Sequence, residues 1–227
     1  MAARRRSIEP GRIQALGRIA NGSSAGCRQA RCRAGRHVGP SGRVGVVPRR
    51  DPTLLLSTLP RPERAWFIRP DGHDASGPIH GVGHTRRVMI HAAEIAEAVG
   101  ASPWEREAVI RATLWHDIGR TDDGADYYHG AKSAGKVVGL GLHRGLPPDI
   151  VDVALYAVTH HSGREDYGVS AADDFPAPRS ALLVFQILKD ADGLDRVRFH
   201  DLDVSRLRLE PSRLREPRAQ ELLTLVP

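Results

Sequence analysis

Seven histidine and aspartate residues of this 227-residue chain that could bind a metal each fall at or near the end of a predicted helix or on a buried one. They are His84, His116, Asp117, His129, His160, His161 and Asp192. A helical bundle can bring such side chains together in one cleft. Neutral imidazole and carboxylate groups together suit Mn, Fe, Co, Ni or Zn, whereas a Mg²⁺ site is richer in oxygen ligands. The pattern therefore predicts a site for one or two divalent transition-metal ions per chain.

The first two predicted helices have clear boundaries. Apolar residues recur at steps of three and four over residues 84–99, and Gly100 ends this amphipathic helix. Ser102 is placed to be the N-cap of the second helix, with Pro103 at its first position and Glu105 completing a capping box. The second helix is expected to run as far as the His-Asp pair that follows it.

Three further helices complete the predicted bundle. The third begins at His129, and the fourth covers residues 149–161. After a polar loop over residues 162–179, Ser180 is the predicted N-cap of a fifth helix that runs to about Val197. This fifth helix is apolar on most sides and should therefore be the central, buried one. With almost no strand signal, the sequence predicts an all-α fold with five core helices.

The residues around these positions resemble those of the HD-domain metal-dependent phosphohydrolases. The resemblance extends over about residues 79–200, and its most specific part is an apolar helix that ends in His-Asp-Ile-Gly followed by a basic residue. It is carried by His84, by His116-Asp117 within Leu-Trp-His-Asp-Ile-Gly-Arg, and by Asp192 within Asp-Ala-Asp-Gly-Leu-Asp. The resemblance implies an HD-domain helical bundle. It also implies a minimal set of metal ligands made of His84, His116, Asp117 and Asp192.

In two-metal members of this family further histidines bind, and this chain has matches for them. His129 corresponds to the histidine that begins the helix after the His-Asp pair, and His160 and His161 correspond to a His-His pair further on. Asp117 would then bridge the two metals. Successive side chains on a helix point about 100° apart, so His160 and His161 cannot face the site in the same way. One of the two is then left to bind substrate or to cap the helix.

Three other positions have alternatives. His80 lies four residues before His84, on the same face if the helix begins early, but two intervening glycines weaken a helix there. Asp190 competes with Asp192 because the fifth helix is apolar on nearly every side, and the register of the family favours Asp192. Asp195 is expected to orient a neighbouring residue or to pair with a nearby arginine, Arg196 or Arg198.

The predicted chemistry is hydrolysis of a phosphate ester by a metal-activated water. Two metals about 3.5–4 Å apart can turn a bridging water into hydroxide near neutral pH and neutralise the leaving oxygen. Arg120 follows Asp117 closely and is placed to contact phosphate, and Lys136 is a further candidate, as are Arg87 and Lys189. We expect a phosphomonoester or phosphodiester substrate, such as a nucleotide, with Asp117, Arg120 and Lys136 as the catalytic residues.

Two other functions use the same pattern of residues. HD-fold mixed-valent diiron oxygenases have the same order of ligands and cleave C–C or C–P bonds with dioxygen, so only the metal and the oxygen dependence separate them from hydrolases. A non-catalytic HD module used for binding is a third hypothesis, disfavoured because every expected ligand is present. The Gly-Tyr-Pro motif of the cyclic-dinucleotide branch does not follow His160-His161, which argues against cyclic di-GMP as substrate.

The positive charge of the chain is concentrated at its N-terminus. Residues 1–50 contain twelve arginines and one acidic residue, Glu9, whereas residues 51–227 carry a net charge of −5. Because this Arg- and Gly-rich segment lacks a sustained hydrophobic period, we expect residues 1–52 to form a disordered tail. The predicted HD domain spans residues 53–202, and a C-terminal extension follows over residues 203–227.

Composition excludes several classes of protein. The hydrophobic fraction of 41 % supports a packed core, and no apolar run is long enough to cross a bilayer. Cys27 and Cys32 are too few for a disulfide framework. We therefore expect a cytoplasmic protein that acts on a small-molecule phosphoester. We expect no membrane partner, and the mildly acidic main domain argues against a nucleic-acid partner.

Overall fold

Residues 51–60 and 79–226 are described by a computed structural model, in which every regular element of these residues is a helix. The α-helices are, in chain order, α1 (Val82–Ala98), α2 (Pro103–Trp115), α3 (His129–Leu140), α4 (Pro148–His160), α5 (Glu165–Ala171), α6 (Pro178–Leu194), α7 (Glu210–Arg213) and α8 (Glu216–Leu225). Short 3₁₀-helices cover Pro52–Thr58, Ala172–Asp174, Asp195–Phe199 and Val204–Arg206. The all-α prediction is confirmed.

The centre of the bundle is α6, as its apolar composition predicts. It packs against α1, α2 and α4, while α3 packs mainly against α4. Residues on several sides of α6 are fully buried, among them Val184, Phe185, Ile187 and Leu188. Burying a side chain of this size contributes about 1.5–3 kcal/mol to the stability of the fold. The core that surrounds α6 is therefore the rigid support on which the site residues are placed.

The start of α2 has the capping box that the sequence predicts. The Ser102 hydroxyl accepts a hydrogen bond from the Glu105 backbone N–H at 3.3 Å, and the Ser102 N–H donates to the Glu105 carboxylate at 2.7 Å. Pro103 occupies the first helical position. At its other end α2 stops at Trp115, so His116 and Asp117 lie in the turn immediately after the helix.

The region between α4 and α6 differs from the prediction in two respects. Residues 162–179 are not a continuous polar loop, because α5 and a 3₁₀ turn form within them. Two acidic residues in the first turn of α5 favour its positive N-terminal end, and Gly168 lies directly against the Phe185 ring. The predicted N-cap at Ser180 is also wrong. Here α6 starts at Pro178, whose fixed φ suits the first helical turn.

The segment predicted as a C-terminal extension packs onto the bundle. It contacts α1 and α6 through α7 and α8, and Leu207, Ala219 and Leu222 are buried in it. The predicted tail, residues 1–52, lies outside the described residues except for Asp51 and Pro52, which begin the first 3₁₀-helix. Within the described part of the chain, no helix has both the length and the apolar character needed to cross a bilayer.

Candidate metal centre

Five buried side chains from four parts of the bundle converge at one point. His84 comes from the first turn of α1, His116 and Asp117 from the end of α2, His129 from the start of α3, and His161 from the end of α4. Each of them is at most 6 % exposed. Polar and charged groups are buried at this density only where they bind one another or a ligand. These five residues could hold a metal ion, and for that reason we call them the metal-ligand cluster.

Asp117 lies at the middle of the metal-ligand cluster. Each of its two carboxylate oxygens faces one pair of histidines. Its Oδ2 atom lies 3.5 Å from Nε2 of His84 and 3.5 Å from Nε2 of His116. Its Oδ1 atom lies 3.1 Å from Nε2 of His129 and 3.9 Å from Nε2 of His161. The five residues thus form two three-ligand groups that share Asp117, as a carboxylate that bridges two metal ions would require.

Asp192 on α6 lies beside the first of these groups. Its Oδ1 atom is 3.5 Å from His84 Nε2, and its side chain is 37 % exposed. It is therefore placed to complete the group of His84, His116 and Asp117 while facing solvent. The structure brings together six of the seven residues that the sequence suggested as ligands.

Each histidine of the metal-ligand cluster is held through its Nδ1 atom. Nδ1 of His116 donates to the carbonyl oxygen of Thr113 at 2.7 Å, and Nδ1 of His161 donates to that of Val158 at 2.7 Å. His129 donates in the same way to a carbonyl oxygen, that of Asp126. A carbonyl oxygen only accepts hydrogen bonds, so in the neutral rings the proton is on Nδ1 and the lone pair on Nε2 faces the cluster.

The fourth histidine, His84, is held by a carboxylate instead. Its Nδ1 atom lies 2.7 Å from Asp195 Oδ2, and Asp195 also pairs with Arg87 at 2.5 Å and with Arg198 at 2.8 Å. Asp195 was expected either to orient a neighbouring residue or to pair with Arg196 or Arg198. It does both, because it orients His84 and pairs with Arg198. Arg196 pairs with Asp201. The sequence suggested Arg87 only as a residue that could contact phosphate, and its ion pair with Asp195 was not expected.

The spacing of the Nε2 atoms fits a bound cation. Nε2 of His84 lies 3.1 Å from Nε2 of His116, and Nε2 of His129 lies 2.8 Å from Nε2 of His161. Two lone pairs at such distances repel each other unless a positive charge lies between them. Two ligand atoms that bind one ion at about 2.0–2.2 Å are themselves roughly 3–3.5 Å apart. The donor set of imidazole nitrogens and carboxylates therefore fits divalent transition metals.

Burial and charge keep the ligands in their coordinating forms. Burial lowers the pKa of His116, and it lowers the pKa of His161 to about 3, so both rings are neutral near pH 7. Burial alone would raise the pKa of Asp117, but His116, His129 and His84 outweigh it and hold that pKa well below its usual value. The pKa of His84 is raised because its contacts with two carboxylates exceed the effect of burial.

The two predicted phosphate-binding residues differ in their positions. Arg120 lies at the edge of the cluster, where its Nε atom donates to Asp117 Oδ1 at 3.0 Å and its Nη1 atom to the carbonyl oxygen of Gly124 at 3.2 Å. Lys136 is half-buried on α3, seven residues after His129 and therefore about 10 Å further along the helix axis. The structure places Arg120 at the cluster and the Lys136 backbone away from it.

Of the histidines whose roles the sequence left open, only His161 belongs to the cluster. His161 joins the cluster, whereas the neighbouring His160 is half-buried with its ring 5.4 Å from that of Tyr156. His80 precedes α1, and its Nδ1 atom lies 3.0 Å from an Asp123 carboxylate oxygen while its ring packs edge-on against that of His84. Burial lowers the pKa of His80 to about 4.

Asp190, the rival of Asp192, is fully buried and binds the C-terminal segment, which we define as residues 201–226. It accepts hydrogen bonds from the backbone N–H groups of Arg208 and Leu209, both at 2.9 Å, and from Arg208 Nη1 at 3.1 Å. Asp190 and Asp192 therefore have different partners, although they are only two residues apart. Asp190 anchors backbone, and Asp192 faces the cluster.

A cavity of about 700 Å³ opens beside the cluster. His161 and Asp192 form part of its wall, together with Tyr127, Lys189 and, from the C-terminal segment, residues 201–203 and 206–208. The volume is within the range of small-molecule binding sites. No sequence motif pointed to this part of the wall, since these residues of the C-terminal segment reach the site only through tertiary contacts.

Comparison with known proteins assigns a family to this arrangement. Residues 81–197, slightly more than half of the chain, match the family model described as HD domain. No curated protein and no solved structure matches the chain.

Proposed function

Since the chain belongs to the HD-domain family, we propose that it is a metal-dependent phosphohydrolase that cleaves a phosphomonoester or phosphodiester with a metal-activated water. One observation carries the proposal. The Asp117 carboxylate lies between two histidine pairs whose Nε2 lone pairs face it, and one of these histidines, His161, lines a cavity large enough for a small-molecule substrate. This arrangement suits two divalent ions next to a bound phosphate ester.

The ligands divide between the two ions. His84, His116 and Asp192 would hold one ion, His129 and His161 the other, and Asp117 both. Ions held there would supply activation of a water and neutralisation of the charge on the phosphate. The protein's own contribution is to fix the rings through their Nδ1 hydrogen bonds, so that no ligand has to reorient during the reaction.

Arg120 is the residue that we assign to the reacting phosphate. Its guanidinium has five N–H donors, of which the contacts with Asp117 and Gly124 use only some. The remaining donors can bind phosphate oxygens beside the ligands, where negative charge increases in the transition state. Lys136 stays a second candidate for this role.

The cavity wall supports a nucleotide among the possible substrates. Tyr127 is 76 % exposed and forms part of that wall, so its ring face is open to a planar group. Aromatic side chains bind nucleobases by stacking, without selecting one base over another. A nucleobase on Tyr127 and a phosphate at the cluster would together span the cavity.

The proposal is tested by assaying a panel of phosphomonoesters and phosphodiesters with the metal-loaded protein, the chelator-treated protein and the variant Asp117→Asn. We expect phosphate release that requires a divalent ion and that falls at least about 10³-fold in Asp117→Asn, because this variant loses the bridging charge. Unchanged turnover in the variant would contradict the proposal. Consumption of dioxygen by the iron-loaded protein without phosphate release would establish a diiron oxygenase instead.

A further inference from the structure

Ser162 lies directly after the cluster residue His161 and connects the end of α4 to the start of α3. Its hydroxyl accepts a hydrogen bond from the Gly130 backbone N–H at 3.1 Å and donates one to the Tyr127 carbonyl oxygen at 3.1 Å. Gly130 is the second residue of α3 and follows the cluster residue His129. The Ser162 hydroxyl therefore bonds to the chain on both sides of His129.

The start of α3 needs such a partner from outside the helix. The first N–H groups of an α-helix have no acceptor within it. Tyr128 occupies the N-cap position of α3, but within the described part of the chain its side chain makes no capping hydrogen bond. A serine hydroxyl is among the most favoured acceptors for these N–H groups. Here Ser162 supplies that hydroxyl from the end of another helix.

The Nδ1 hydrogen bonds of His129 and His161 do not fix the two rings relative to each other. His129 bonds to the carbonyl oxygen of Asp126 and His161 to that of Val158, so each ring is held by a residue only three positions earlier in its own segment. The 2.8 Å between their Nε2 atoms depends instead on how α3 meets α4. The two hydrogen bonds of Ser162 join these segments beside the rings.

We propose that Ser162 is a positioning residue that sets the spacing of His129 and His161, and thereby the affinity for the ion that these two histidines share with Asp117. This inference rests on the proposed function, which requires that ion. Two ligand atoms on one ion are roughly 3–3.5 Å apart. Without the Ser162 hydroxyl, the start of α3 can move away from the end of α4, and the two rings leave that spacing.

The experiment titrates the metal-free, full-length protein with Co²⁺ by calorimetry, as wild type and as Ser162→Ala. We expect both proteins to bind two ions, with one of the two affinities about tenfold lower in Ser162→Ala, the effect of losing a residue that orients metal ligands. Ser162 is only half-buried, so the variant should stay folded. Ser162→Thr keeps the hydroxyl and should retain the wild-type affinities.

Thr159→Val is the matched control. It removes a hydroxyl from the last turn of α4, but this hydroxyl donates to the carbonyl oxygen of Leu155 within the same helix, at 2.7 Å. Both Co²⁺ affinities should therefore equal those of the wild type. A loss in Thr159→Val equal to that in Ser162→Ala would show that any change at the end of α4 weakens binding, and would overturn the proposal.

A double variant shows which ion depends on Ser162. His161→Ala already loses the ion held by His129 and His161, so adding Ser162→Ala should leave the affinity for the remaining ion unchanged. A general loosening of the fold would instead weaken binding of the remaining ion. A lower affinity in the double variant than in His161→Ala would therefore overturn the proposal.

The outcomes also distinguish this inference from the function on which it rests. If the wild type binds two ions and Ser162→Ala binds both equally well, or if Ser162→Thr behaves like Ser162→Ala, the assignment of Ser162 is wrong and the phosphohydrolase proposal stands. If the wild type binds a single ion and hydrolyses phosphoesters, only the assignment of Ser162 fails. If it binds no ion and hydrolyses no phosphoester, both fail.

Discussion

At the scale of single residues, the chemistry of the centre depends on which nitrogen of each histidine carries the proton. His116, His129 and His161 donate Nδ1–H to backbone carbonyl oxygens, and the Nδ1 atom of His84 faces Asp195. All four Nε2 lone pairs consequently point toward Asp117. A metal entering the site meets ligands that are already in the required tautomer and orientation, so little of the binding energy is spent on ordering them.

The neighbouring residues His160 and His161 provide a matched pair of variants. We expect His161→Ala to lose one of two bound ions, because its Nε2 atom belongs to the group of Asp117 and His129. His160→Ala should keep both ions, since the His160 ring packs against Tyr156 outside the cluster. Elemental analysis of the two purified variants measures the difference. Equal metal content in both would contradict the assignment of His161.

A buried histidine outside the cluster should make the stability of the fold depend on pH. His91 is fully buried on α1, and neither of its ring nitrogens has a hydrogen-bond partner in the described residues. Burial, assisted by the positive charge of Arg215, lowers the pKa of His91 to about 3, against 6.5 for an unperturbed histidine. Between these values the unfolded chain binds a proton that the folded chain does not. Above pH 6.5 the neutral His91 ring therefore does not reduce the free energy of unfolding. As the pH falls from 6.5 toward 3, the free energy of unfolding decreases, because the unfolded chain gains a proton that the folded chain does not.

The variant His91→Leu removes this titration. Relative to the wild type, its free energy of unfolding should increase by up to about 1.4 kcal/mol for each pH unit below 6.5. Urea unfolding of both proteins at pH 7.5 and pH 5.0 gives, at each pH, the difference in the free energy of unfolding between the variant and the wild type. If the difference is the same at both pH values, His91 does not titrate as its burial requires.

At the scale of the helices, the ends of α2 and α4 position ligands by the same device. The last carbonyl groups of an α-helix have no partner within the helix. Here the carbonyl of Thr113 in the last turn of α2 accepts from His116, and that of Val158 in the last turn of α4 accepts from His161. A histidine placed just after a helix thus satisfies an unpaired carbonyl and turns its other nitrogen toward the centre of the cluster.

The approach of α3 to α4 depends on a glycine next to a ligand. A Cβ atom on Gly130 would overlap the carbonyl oxygen of Val158 and lie 3.0 Å from His161 Nδ1, whereas a Cβ on Gly135 of the same helix meets nothing. We expect Gly130→Ala to force α3 away from α4 and to lose the ion shared by His129 and His161. Gly135→Ala should keep both ions and raise the free energy of unfolding by up to about 1 kcal/mol.

Thermal unfolding and metal analysis of the two glycine variants provide the comparison. Retention of both ions by Gly130→Ala would show that the close packing of α3 on α4 is not needed for the second group of ligands.

The local signals of the sequence predicted most of the helices but not all of them. Capping at Ser102 and the apolar periods of α1 and α4 depend on residues close together in the chain, so they could be recognised without the structure. The short helix α5 has too few residues for a period, and it is held by the contact of Gly168 with Phe185 and by the hydrogen bond from the Tyr156 hydroxyl to the Gly168 carbonyl. Such contacts join distant parts of the chain.

The site was predictable to a similar extent. The resemblance to the family named the six residues that the structure brings together. Periodicity alone did not distinguish Asp190 from Asp192 on an apolar helix. The choice depends on tertiary contacts, because Asp190 binds the backbone of Arg208 and Leu209, eighteen and nineteen residues further on. The place of Arg87 beside Asp195 likewise requires the packing of α1 against the end of α6.

At the scale of the whole molecule, the C-terminal segment and the bundle form one site. Asp190 anchors the segment from inside α6, and residues 201–203 and 206–208 form part of the cavity wall, as His161 does. Arg87 of α1 also donates to the carbonyl oxygen of Val226, so the last described residue contacts the ion-pair network that orients His84. The C-terminal segment is thus part of the structure that supports the residues of the cluster.

The basic N-terminal residues, in contrast, should be dispensable for the chemistry. Every residue of the metal-ligand cluster follows residue 80, and residues 1–50 contain none of them. We expect deletion of residues 1–50 to leave the metal content and the turnover number unchanged. Circular dichroism confirms that the truncated protein is helical, and a helical protein without metal or activity would show that the N-terminal residues contribute to the site.

The central claim is that Asp117 and its histidine partners bind two divalent ions per chain. Elemental analysis tests it directly, with wild type and Asp117→Asn purified without chelator or added metal and then reconstituted with divalent ions. We predict two transition-metal ions per wild-type chain and the loss of both in Asp117→Asn, with the variant still helical by circular dichroism. A wild-type chain that binds no divalent ion after reconstitution, or a variant that keeps both, would contradict it.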